Sequence, residues 1–362
     1  MPNLGTLLSF PSNNGAGPSS TKQRTPIPPC SSHILVTDTI DSPALFVLVH
    51  FLRAANVINK ASRSTLPPAI ADRKGKRKAH TKVIWLGCNS DGLVHLKNIT
   101  RKSAVHLDEE IRDGAFCWID SSAAEESLAG GVAAMNVQEA GSAAEQALRK
   151  LYVRIAEQLQ DAAPTEDQEA DWTSRSLVVI DDLTALAWSL DPHDPSGQPI
   201  DVARLLTTWL SSVTSLATKY HASVITLMHS DATSSSKNGA SDPVDECLFN
   251  NVLQRADVWV EVKELASGRA RDCDGEITVH PLVRPSLARA LPASNRAPPA
   301  KGPTATPPLQ AFAIETPCPN RAKAMLYRIA PDGQSAALGG ASVGSNTGRV
   351  QVWARGTGRG FL

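Results

Sequence analysis

The sequence lacks the features of a membrane protein and of a protein that binds nucleic acid through overall charge. Lys plus Arg and Asp plus Glu each number 36, so the formal net charge is zero. The longest apolar run, residues 44–52, is interrupted by His50 and is too short to span a bilayer. No charged and apolar signal sequence begins the chain. We therefore expect no membrane contact and a location in the cytoplasm, with the nucleus as a second compartment.

Closely spaced pairs of cysteines are also absent. The six cysteines are at positions 30, 88, 117, 247, 273 and 318. No two of them have the C-x-x-C spacing that nucleates a zinc site or a redox pair. We therefore predict no metal site and expect the thiols to be buried or chemically idle.

Glycine and lysine are missing from the loop where a nucleotide-binding protein would need them. The first predicted strand, His33–Thr37, runs into Asp38–Ala44 and then into an apolar helix. A loop that cradles phosphate needs glycines, whose backbone N–H groups converge on the anion, and a lysine for its charge. The aspartates of this loop would instead repel a triphosphate at the N-terminus of the helix. We predict that Asp41 or Ser42 caps the helix, with Pro43 at its first position, and that no cofactor binds.

Apolar runs of strand length alternate with stretches of helical period along most of the chain. This alternation is typical of a parallel sheet covered by helices. The predicted strands are 33–37, 82–88, 115–119, 176–180, 222–228 and 257–262, and the predicted helices are 42–58, 91–103, 143–160, 201–220 and 244–253. Segments 324–329 and 349–353 are predicted to form a terminal hairpin. The predicted fold class is α/β, a mostly parallel twisted sheet flanked by helices with antiparallel edge hairpins.

Composition divides the chain into one folded domain and segments too polar or too rich in Pro and Gly to join a core. The predicted divisions are a disordered leader at 1–30, the α/β domain at 31–282 with insertions near 60–80, 120–142 and 161–175, a flexible linker at 283–320, and a terminal edge hairpin with a tail at 321–362. One domain of moderate size is therefore expected despite the length of 362 residues.

Two adjacent aspartates follow the apolar strand Ser176–Ile180. This segment resembles the acid-tipped core strand of a RecA-type ATPase, in which the carboxylates hold a metal-bound water. Asp181 and Asp182 could therefore bind magnesium. Without a phosphate-binding loop, however, no visible groups hold the triphosphate that the metal must bridge. We favour a structural or vestigial role for both aspartates and predict no catalytic residue.

Two further segments raise hypotheses that the sequence leaves open. His229-Ser230-Asp231 contains the residue types of a hydrolase triad, but consecutive residues cannot normally form the relay, so a strand-end loop is predicted. By resemblance to RecA-like rings, in which the loop after this strand often faces the central channel, 229–239 is a candidate RNA-facing segment; the alternative is a polar surface loop. Its only basic residue is Lys237.

A basic run lies between the first helix and the second strand. It contains Arg73, Lys74, Lys76, Arg77 and Lys78. A solvated insertion is the common explanation for such a run. The alternatives are a nuclear-import signal and a contact with RNA phosphates.

Several motifs in the same order resemble the Elongator complex protein 6 family. The stretch Leu265–Ile277, in which Leu, a small hydroxyl residue and Gly precede a basic-Asp pair and a second Gly, is similar to a hairpin of that family. Leu177–Leu183, Val224–Asp231 and the glycine-free first loop are similar as well. We predict that the hairpin turns at Asp274-Gly275 with positive φ. The resemblance covers roughly residues 33–282.

The resemblance implies a RecA-like fold without nucleotide-binding motifs, assembled with two paralogous RecA-like subunits into a heterohexameric ring. That ring belongs to Elongator, which modifies wobble uridines of tRNA, and the catalytic chemistry resides in a different subunit. The implied partners are the two related subunits, the catalytic Elongator subcomplex and tRNA bound through the assembled ring. The implied function is a noncatalytic assembly subunit, with ATP hydrolysis by the assembled ring left open.

Two other functions are compatible with the same fold. One is a divergent ATPase that completes its site with groups from a neighbouring subunit. The other is a stand-alone RNA-binding or signalling module. Trp188, Trp209 and Trp259 are candidates for subunit contacts, although each is expected in the core.

Overall fold

A nine-stranded mixed sheet forms the centre of the fold. The computed structural model describes residues 4–11, 24–65, 81–88, 91–122, 142–162, 176–193, 196–231, 233, 242–265, 267–268, 270, 272–282, 324–329 and 350–354. The strands are β1 (Phe10–Pro11), β2 (Arg24–Thr25), β3 (His33–Asp38), β4 (Lys82–Gly87), β5 (Phe116–Asp120), β6 (Ser176–Ile180), β7 (Ala222–His229), β8 (Val258–Lys263), β9 (Gly275–Pro281), β10 (Met325–Ile329) and β11 (Val350–Ala354). Strands β1 and β2 form a separate two-stranded sheet.

The order of strands in the main sheet is β11-β10-β9-β8-β3-β7-β6-β4-β5. Strands β3 to β8 run parallel to one another, whereas β9 pairs antiparallel with β8, and β10 and β11 continue the antiparallel pairing to the edge of the sheet. The middle strand, β3, lies between β7 and β8. The predicted fold class, a mostly parallel α/β sheet flanked by helices with antiparallel edge strands, is confirmed.

Helices cover both faces of the sheet. They are α1 (Leu4–Leu7), α2 (Leu45–Thr65), α3 (Gly92–Lys102), α4 (Leu107–Arg112), α5 (Ala143–Asp161), α6 (Leu183–Ser189), α7 (Val202–Lys219) and α8 (Pro243–Leu253). Helices α1 to α4 contribute to the core on one face, and α5 to α8 to the core on the other. Because both faces are covered, a central strand such as β7 is buried along almost its whole length, including its polar residues Ser223 and Thr226. No helix in the described part of the chain is long and apolar enough to cross a membrane.

Helices α5 and α7 begin with a side-chain cap, whereas α3 has an aspartate at the N-cap position that makes no capping hydrogen bond. Ser142 and Glu145 form a reciprocal capping box at the start of α5. The carboxylate of Asp201 accepts a hydrogen bond from the backbone N–H of Arg204 at the start of α7. Asp91 stands at the N-cap position of α3, but its side chain makes no capping hydrogen bond.

The N-terminal leader contains ordered structure, contrary to the expectation of disorder for residues 1–30. The described part of the leader holds α1, β1 and β2. Leu4, Leu8, Phe10 and Ile27 are buried in the same core cluster as α2. The leader was misjudged because its few apolar residues are separated by polar, Pro-rich sequence and show no periodicity.

The connection between β8 and β9 corrects the predicted Asp274-Gly275 turn. The two strands pair from Val258↔Pro281 to Lys263↔Glu276, so Gly275 is the first residue of β9 rather than a turn residue. Positive φ occurs at Gly268 instead, at 85°. Gly275 is needed for a different reason, because a Cβ there would lie 2.5 Å from the carbonyl oxygen of Lys263 and 2.8 Å from the ring of Tyr327.

Candidate functional site

The carboxyl ends of β3, β7 and β6 lie side by side at one edge of the sheet. Asp38 ends β3, His229 ends β7, and Asp181 and Asp182 follow β6. Ligands of open α/β sheets bind outside the carboxyl ends of the strands, so this edge is where a functional site is expected. The strand order therefore assembles residues that are far apart in the sequence.

A histidine bridges two aspartates at this edge. The Nδ1 atom of His229 lies 2.5 Å from Oδ1 of Asp38, and its Nε2 atom lies 3.0 Å from Oδ2 of Asp182. The side chains of Asp38 and Asp182 are 2% and 9% exposed, and that of His229 is 32% exposed. We refer to these three residues as the acid–histidine cluster.

The two carboxylates hold the imidazole in its charged form. Hydrogen bonds that the ring donates to Asp182, the larger cause, and to Asp38 raise the pKa of His229 to about 10, against the opposing effect of burial. His229 is therefore an imidazolium at neutral pH. Because both ring nitrogens donate to carboxylates, the ring has no free nitrogen with which to accept a proton from a substrate or a water.

Backbone contacts fix the same residues in place. The backbone N–H of His229 donates to Oγ1 of Thr184 in α6 at 3.0 Å. The backbone N–H and the hydroxyl of Ser230 both donate to the carbonyl oxygen of Asp38, at 2.9 and 2.8 Å. The cluster is thus a polar clamp across the ends of β3, β7 and β6.

Asp38 also occupies the position where a phosphate would be expected. Its Oδ2 atom accepts a hydrogen bond from the backbone N–H of Ala44, the residue immediately before α2, at 2.8 Å. The predicted capping of α2 by Asp41 or Ser42 is therefore not what the structure shows, since the carboxylate comes from the end of the strand. The N-terminus of a helix attracts anions. In this chain an anion of the protein itself lies at that end of α2.

Asp181 and Asp182 have separate sets of partners. Asp181 accepts hydrogen bonds from the backbone N–H of Cys88 at 2.7 Å and from the indole N–H of Trp85 at 2.9 Å. Burial raises the pKa of Asp181 to about 6, although these hydrogen bonds oppose the shift. The Oδ1 atom of Asp182 caps α6 through the N–H of Ala185 at 2.8 Å, and its Oδ2 atom is paired with His229. All four carboxylate oxygens thus have partners within the chain.

The residues of the apparent hydrolase triad do not act on one another. The hydroxyl of Ser230 donates to the carbonyl oxygen of Asp38 rather than to the imidazole of His229. Asp231 accepts a hydrogen bond from the backbone N–H of Ile40 at 2.7 Å. The segment is a strand-end loop, as the sequence predicted, and it offers no activated nucleophile.

The predicted RNA-facing residues lie outside the described part of the chain. They are Arg73, Lys74, Lys76, Arg77, Lys78 and Lys237. Among the three tryptophans, Trp209 is buried and donates to the carbonyl oxygen of Leu148, and Trp259 is partly buried and donates to Oγ1 of Thr37. Trp188 is 68% exposed, so the expectation that it lies in the core is wrong.

The acid–histidine cluster was missed in the sequence because the signal is spread over three strands. Asp38 and His229 are 191 positions apart. Each stands at the end of a predicted strand, and an ionisable residue at the carboxyl end of a parallel strand is a usable signal. Joining the two residues requires knowing that β3 pairs with β7.

Comparisons with known proteins give a matching family and many matching structures, among them a KaiC-like protein. Residues 77–290 match the family described as Elongation complex protein 6. No curated protein sequence matches. A crystal structure of the KaiC-like protein PH0186 from the hyperthermophilic archaeon Pyrococcus horikoshii OT3 is 10% identical over 70% of this chain and 79% of that chain, with a TM-score of 0.36. The family match spans more than half of the chain.

Proposed function

Because the chain belongs to the Elongation complex protein 6 family, we propose that it serves as a noncatalytic assembly subunit of the Elongator complex. In this proposal it forms a heterohexameric ring with two related RecA-like subunits. The ring supports the binding of tRNA and the modification of its wobble uridine, and the catalytic Elongator subcomplex performs the chemistry. The proposed location is the cytoplasm, with the nucleus as a second compartment.

One observation carries the noncatalytic part of this proposal. The carboxylate of Asp38 accepts a hydrogen bond from the N–H of Ala44 at the start of α2. A nucleotide-hydrolysing protein of this fold needs that helix end, together with glycine N–H groups and a lysine, for the phosphates. A triphosphate placed there would meet a buried carboxylate and would have to displace it from both Ala44 and His229.

The acidic residues after β6 support the same proposal. In a hydrolysing enzyme a carboxylate at this position holds the metal ion that bridges the phosphates. Asp182 instead caps α6 and forms an ion pair with His229. Asp181 accepts hydrogen bonds from Trp85 and Cys88. These contacts support structural roles for both aspartates within the subunit.

The test is an assembly experiment with the full chain. The chain is expressed alone and together with its two related subunits, and the masses are measured by native mass spectrometry. We expect a complex that contains all three proteins, and no ATP turnover by the chain alone. A monomer that hydrolyses ATP would favour the divergent ATPase. A monomer that remains separate from both subunits and binds RNA tightly would favour the stand-alone module.

The basic residues of the sequence have a separate test. We propose that the run at 73–78 and Lys237 contact tRNA phosphates in the assembled ring. Replacing Arg73, Lys74, Lys76, Arg77 and Lys78 with Gln removes these charges, and Arg101→Gln with Lys102→Gln at the end of α3 is the control. Each lost phosphate contact should reduce the slope of log K against log salt by about 1. An unchanged slope would show that the run is a solvated surface.

A further inference from the structure

A groove of about 620 Å³ lies between α2 and α3 on one face of the sheet. One wall is formed by residues 45–57 of α2, and the other by α3 with its flanking residues, 91–103. Ile329 and Val350, which pair across β10 and β11, also line it. At a rise of about 1.5 Å per residue, the α2 wall is about 18 Å long, or about three helical turns. We refer to this feature as the α2–α3 groove.

The floor of the α2–α3 groove is apolar. Leu45, Phe46 and Ile99 line it and pack against the core, while their side chains stay partly exposed. His50 lies one helical turn after Phe46 and lines the groove as well. Burial, and then the charge of Arg53, lowers the pKa of His50 to about 4, so the ring is uncharged at neutral pH. An occupant of the groove would therefore bury apolar surface against it.

Exposed apolar side chains continue this surface along the groove. Val57 is 56% exposed and Ile329 is 40% exposed, and both line the groove. The ring of Tyr327, two residues before Ile329, packs 4.9 Å from that of Phe46, so this part of β10 lies beside the start of α2. Val57 is about three turns further along the helix. Exposed apolar residues that are continuous with an apolar groove are typical of an interaction site.

The charge around the groove is mainly positive. Neither α2 nor α3 contains an Asp or Glu residue. Arg53 and Lys102 are exposed and line the groove. The carboxylate among the described lining residues is that of Asp91, which lies 3.7 Å from the imidazole of His95. Because the whole chain has equal numbers of acidic and basic residues, the excess is local, and it favours an occupant with negative charge.

We propose that the α2–α3 groove binds an acidic amphipathic helix of a partner protein. A helix of about three turns matches the length of the groove and places apolar side chains at i, i+4 and i+7 on the face that meets the floor. Asp or Glu residues at the edge of that face would pair with Arg53 and Lys102. The proposal rests on the proposed function, because it takes the partner to be a protein of the same assembly. It adds the surface of this chain and the chemistry of the element that docks there.

Other occupants fit the groove less well. The cations would attract a nucleic-acid backbone, but its phosphates would gain nothing from the apolar floor or from Val57 and Ile329. A small anionic ligand is usually enclosed over most of its surface, whereas both of these apolar side chains stand exposed. A basic helix would place its own cations beside Arg53 and Lys102.

The test compares variants of the groove with the same substitutions on the other face of the sheet. Arg53→Glu and Val57→Glu are matched by Arg154→Glu and Val153→Glu, which change exposed residues of α5. The affinity of each full-length chain for the two related subunits and for the catalytic Elongator subcomplex is measured by native mass spectrometry. Arg53→Glu should weaken the partner that supplies the helix about 5-fold to 10-fold, and Val57→Glu about 10-fold or more. The α5 variants should bind like the wild type.

The isolated chain separates a binding role from a structural one. Arg53 and Val57 are exposed, so the melting temperature of the free variants should stay within about 2 °C of the wild type while binding weakens. An affinity that falls only together with the melting temperature would overturn the docking role. Normal affinity for every partner in both variants would also overturn it and leave the proposed function intact. A wild-type chain that joins none of these proteins would overturn both.

Cross-linking and a charge exchange identify the docked helix directly. A photoreactive benzoylphenylalanine replaces Val57 in the full chain, and the assembled complex is irradiated and analysed by mass spectrometry. We expect cross-linked partner peptides with apolar residues at helical spacing and an Asp or Glu among them. Replacing that acid with Arg should weaken binding to the wild type and restore binding to Arg53→Glu. Cross-links confined to the chain itself or to RNA, or no restoration by the exchange, would contradict the proposal.

Discussion

The carboxylate of Asp38 accepts a hydrogen bond from the backbone N–H of Ala44 at 2.8 Å. This contact places an anion of the chain at the N-terminus of α2, where a nucleotide-binding protein of the same class places a phosphate. The second oxygen of the same carboxylate is paired with the imidazolium of His229. The absence of glycine and lysine from residues 38–44 thus has a structural counterpart, because the loop is stabilised by a side chain instead of a ligand.

We predict that His229→Gln destabilises the chain through the loss of a cation between two carboxylates. Loss of one member of a buried ion pair costs about 3–5 kcal/mol, and the 32% exposure of His229 reduces the expected loss to about 2 kcal/mol or more. Urea unfolding measures this loss. His193→Gln is the control, because His193 is 57% exposed and lies 3.5 Å from Asp191. Equal unfolding free energies for the two variants would show that the clamp contributes little.

The free energy of unfolding should fall as the pH rises above neutrality. The pKa of His229 is raised to about 10 in the folded chain from the ordinary value of 6.5. The folded state therefore holds a proton that the unfolded state has lost, and the contribution is complete below about pH 6.5 and is lost as the pH passes through about 10. The slope is at most about 1.4 kcal/mol per pH unit.

The control for this pH dependence is His229→Gln, measured by urea unfolding between pH 7 and 9. The difference between wild type and variant should shrink steadily across that range. Comparing the two chains removes the effects of other groups that titrate at high pH, such as Cys88 and Tyr327, whose pKa values are also raised by burial. A constant difference would mean that His229 is neutral in the folded chain.

Replacing the carboxylates should lower the pKa of His229 in a definite order. The hydrogen bond that His229 donates to Asp182 is the largest cause of the raised pKa, and the one to Asp38 is second. We expect Asp182→Asn to lower the pKa of His229 more than Asp38→Asn, with both values moving towards 6.5. Titration of the ring protons by NMR gives the values directly. A pKa that stays near 10 in Asp182→Asn would contradict the geometry of the cluster.

Gly275→Ala should destabilise the edge of the sheet. A Cβ at this position would lie 2.5 Å from the backbone oxygen of Lys263 in β8, so β8 and β9 would have to separate. Overpacking of this kind costs about 1–3 kcal/mol. Gly268→Ala is the comparison, since φ is 85° there but no atom lies within 4 Å of the added Cβ. A smaller loss for Gly275→Ala than for Gly268→Ala, measured by thermal unfolding, would contradict this close approach.

The sheet was predictable because its strands carry strong local signals. The run Ser176–Ile180 is apolar at four of its positions and is buried throughout, and β7 has the same character. Continuous burial on both faces follows from a parallel sheet covered by helices, so residue pattern and fold agree. The long helices α5 and α7 were predicted close to their observed bounds, because each has enough turns for a helical period to be visible.

The features that were not predicted depend on distant contacts or on too few residues. Helix α6 has seven residues, which is less than two full repeats of a helical pattern. The Asp-Gly pair at 274–275 has the composition of a turn, but Gly275 already belongs to β9. Because β8 ends at Lys263, the connection between the two strands is longer than a tight turn. The exposure of Trp188 depends on how α6 packs, which no local pattern specifies.

The most direct measurement of the central claim is a calorimetric titration of Mg·ATP into the isolated full-length chain. The chain should show no saturable heat up to about 1 mM nucleotide, a concentration that would detect binding stronger than about −4 kcal/mol. The physical reason is that Asp38 lies at the helix end that phosphate would need, and Asp182 is paired with His229. Saturable one-to-one binding of Mg·ATP that is lost in Asp182→Asn would contradict the account, because it would show that the chain binds nucleotide at this edge of the sheet.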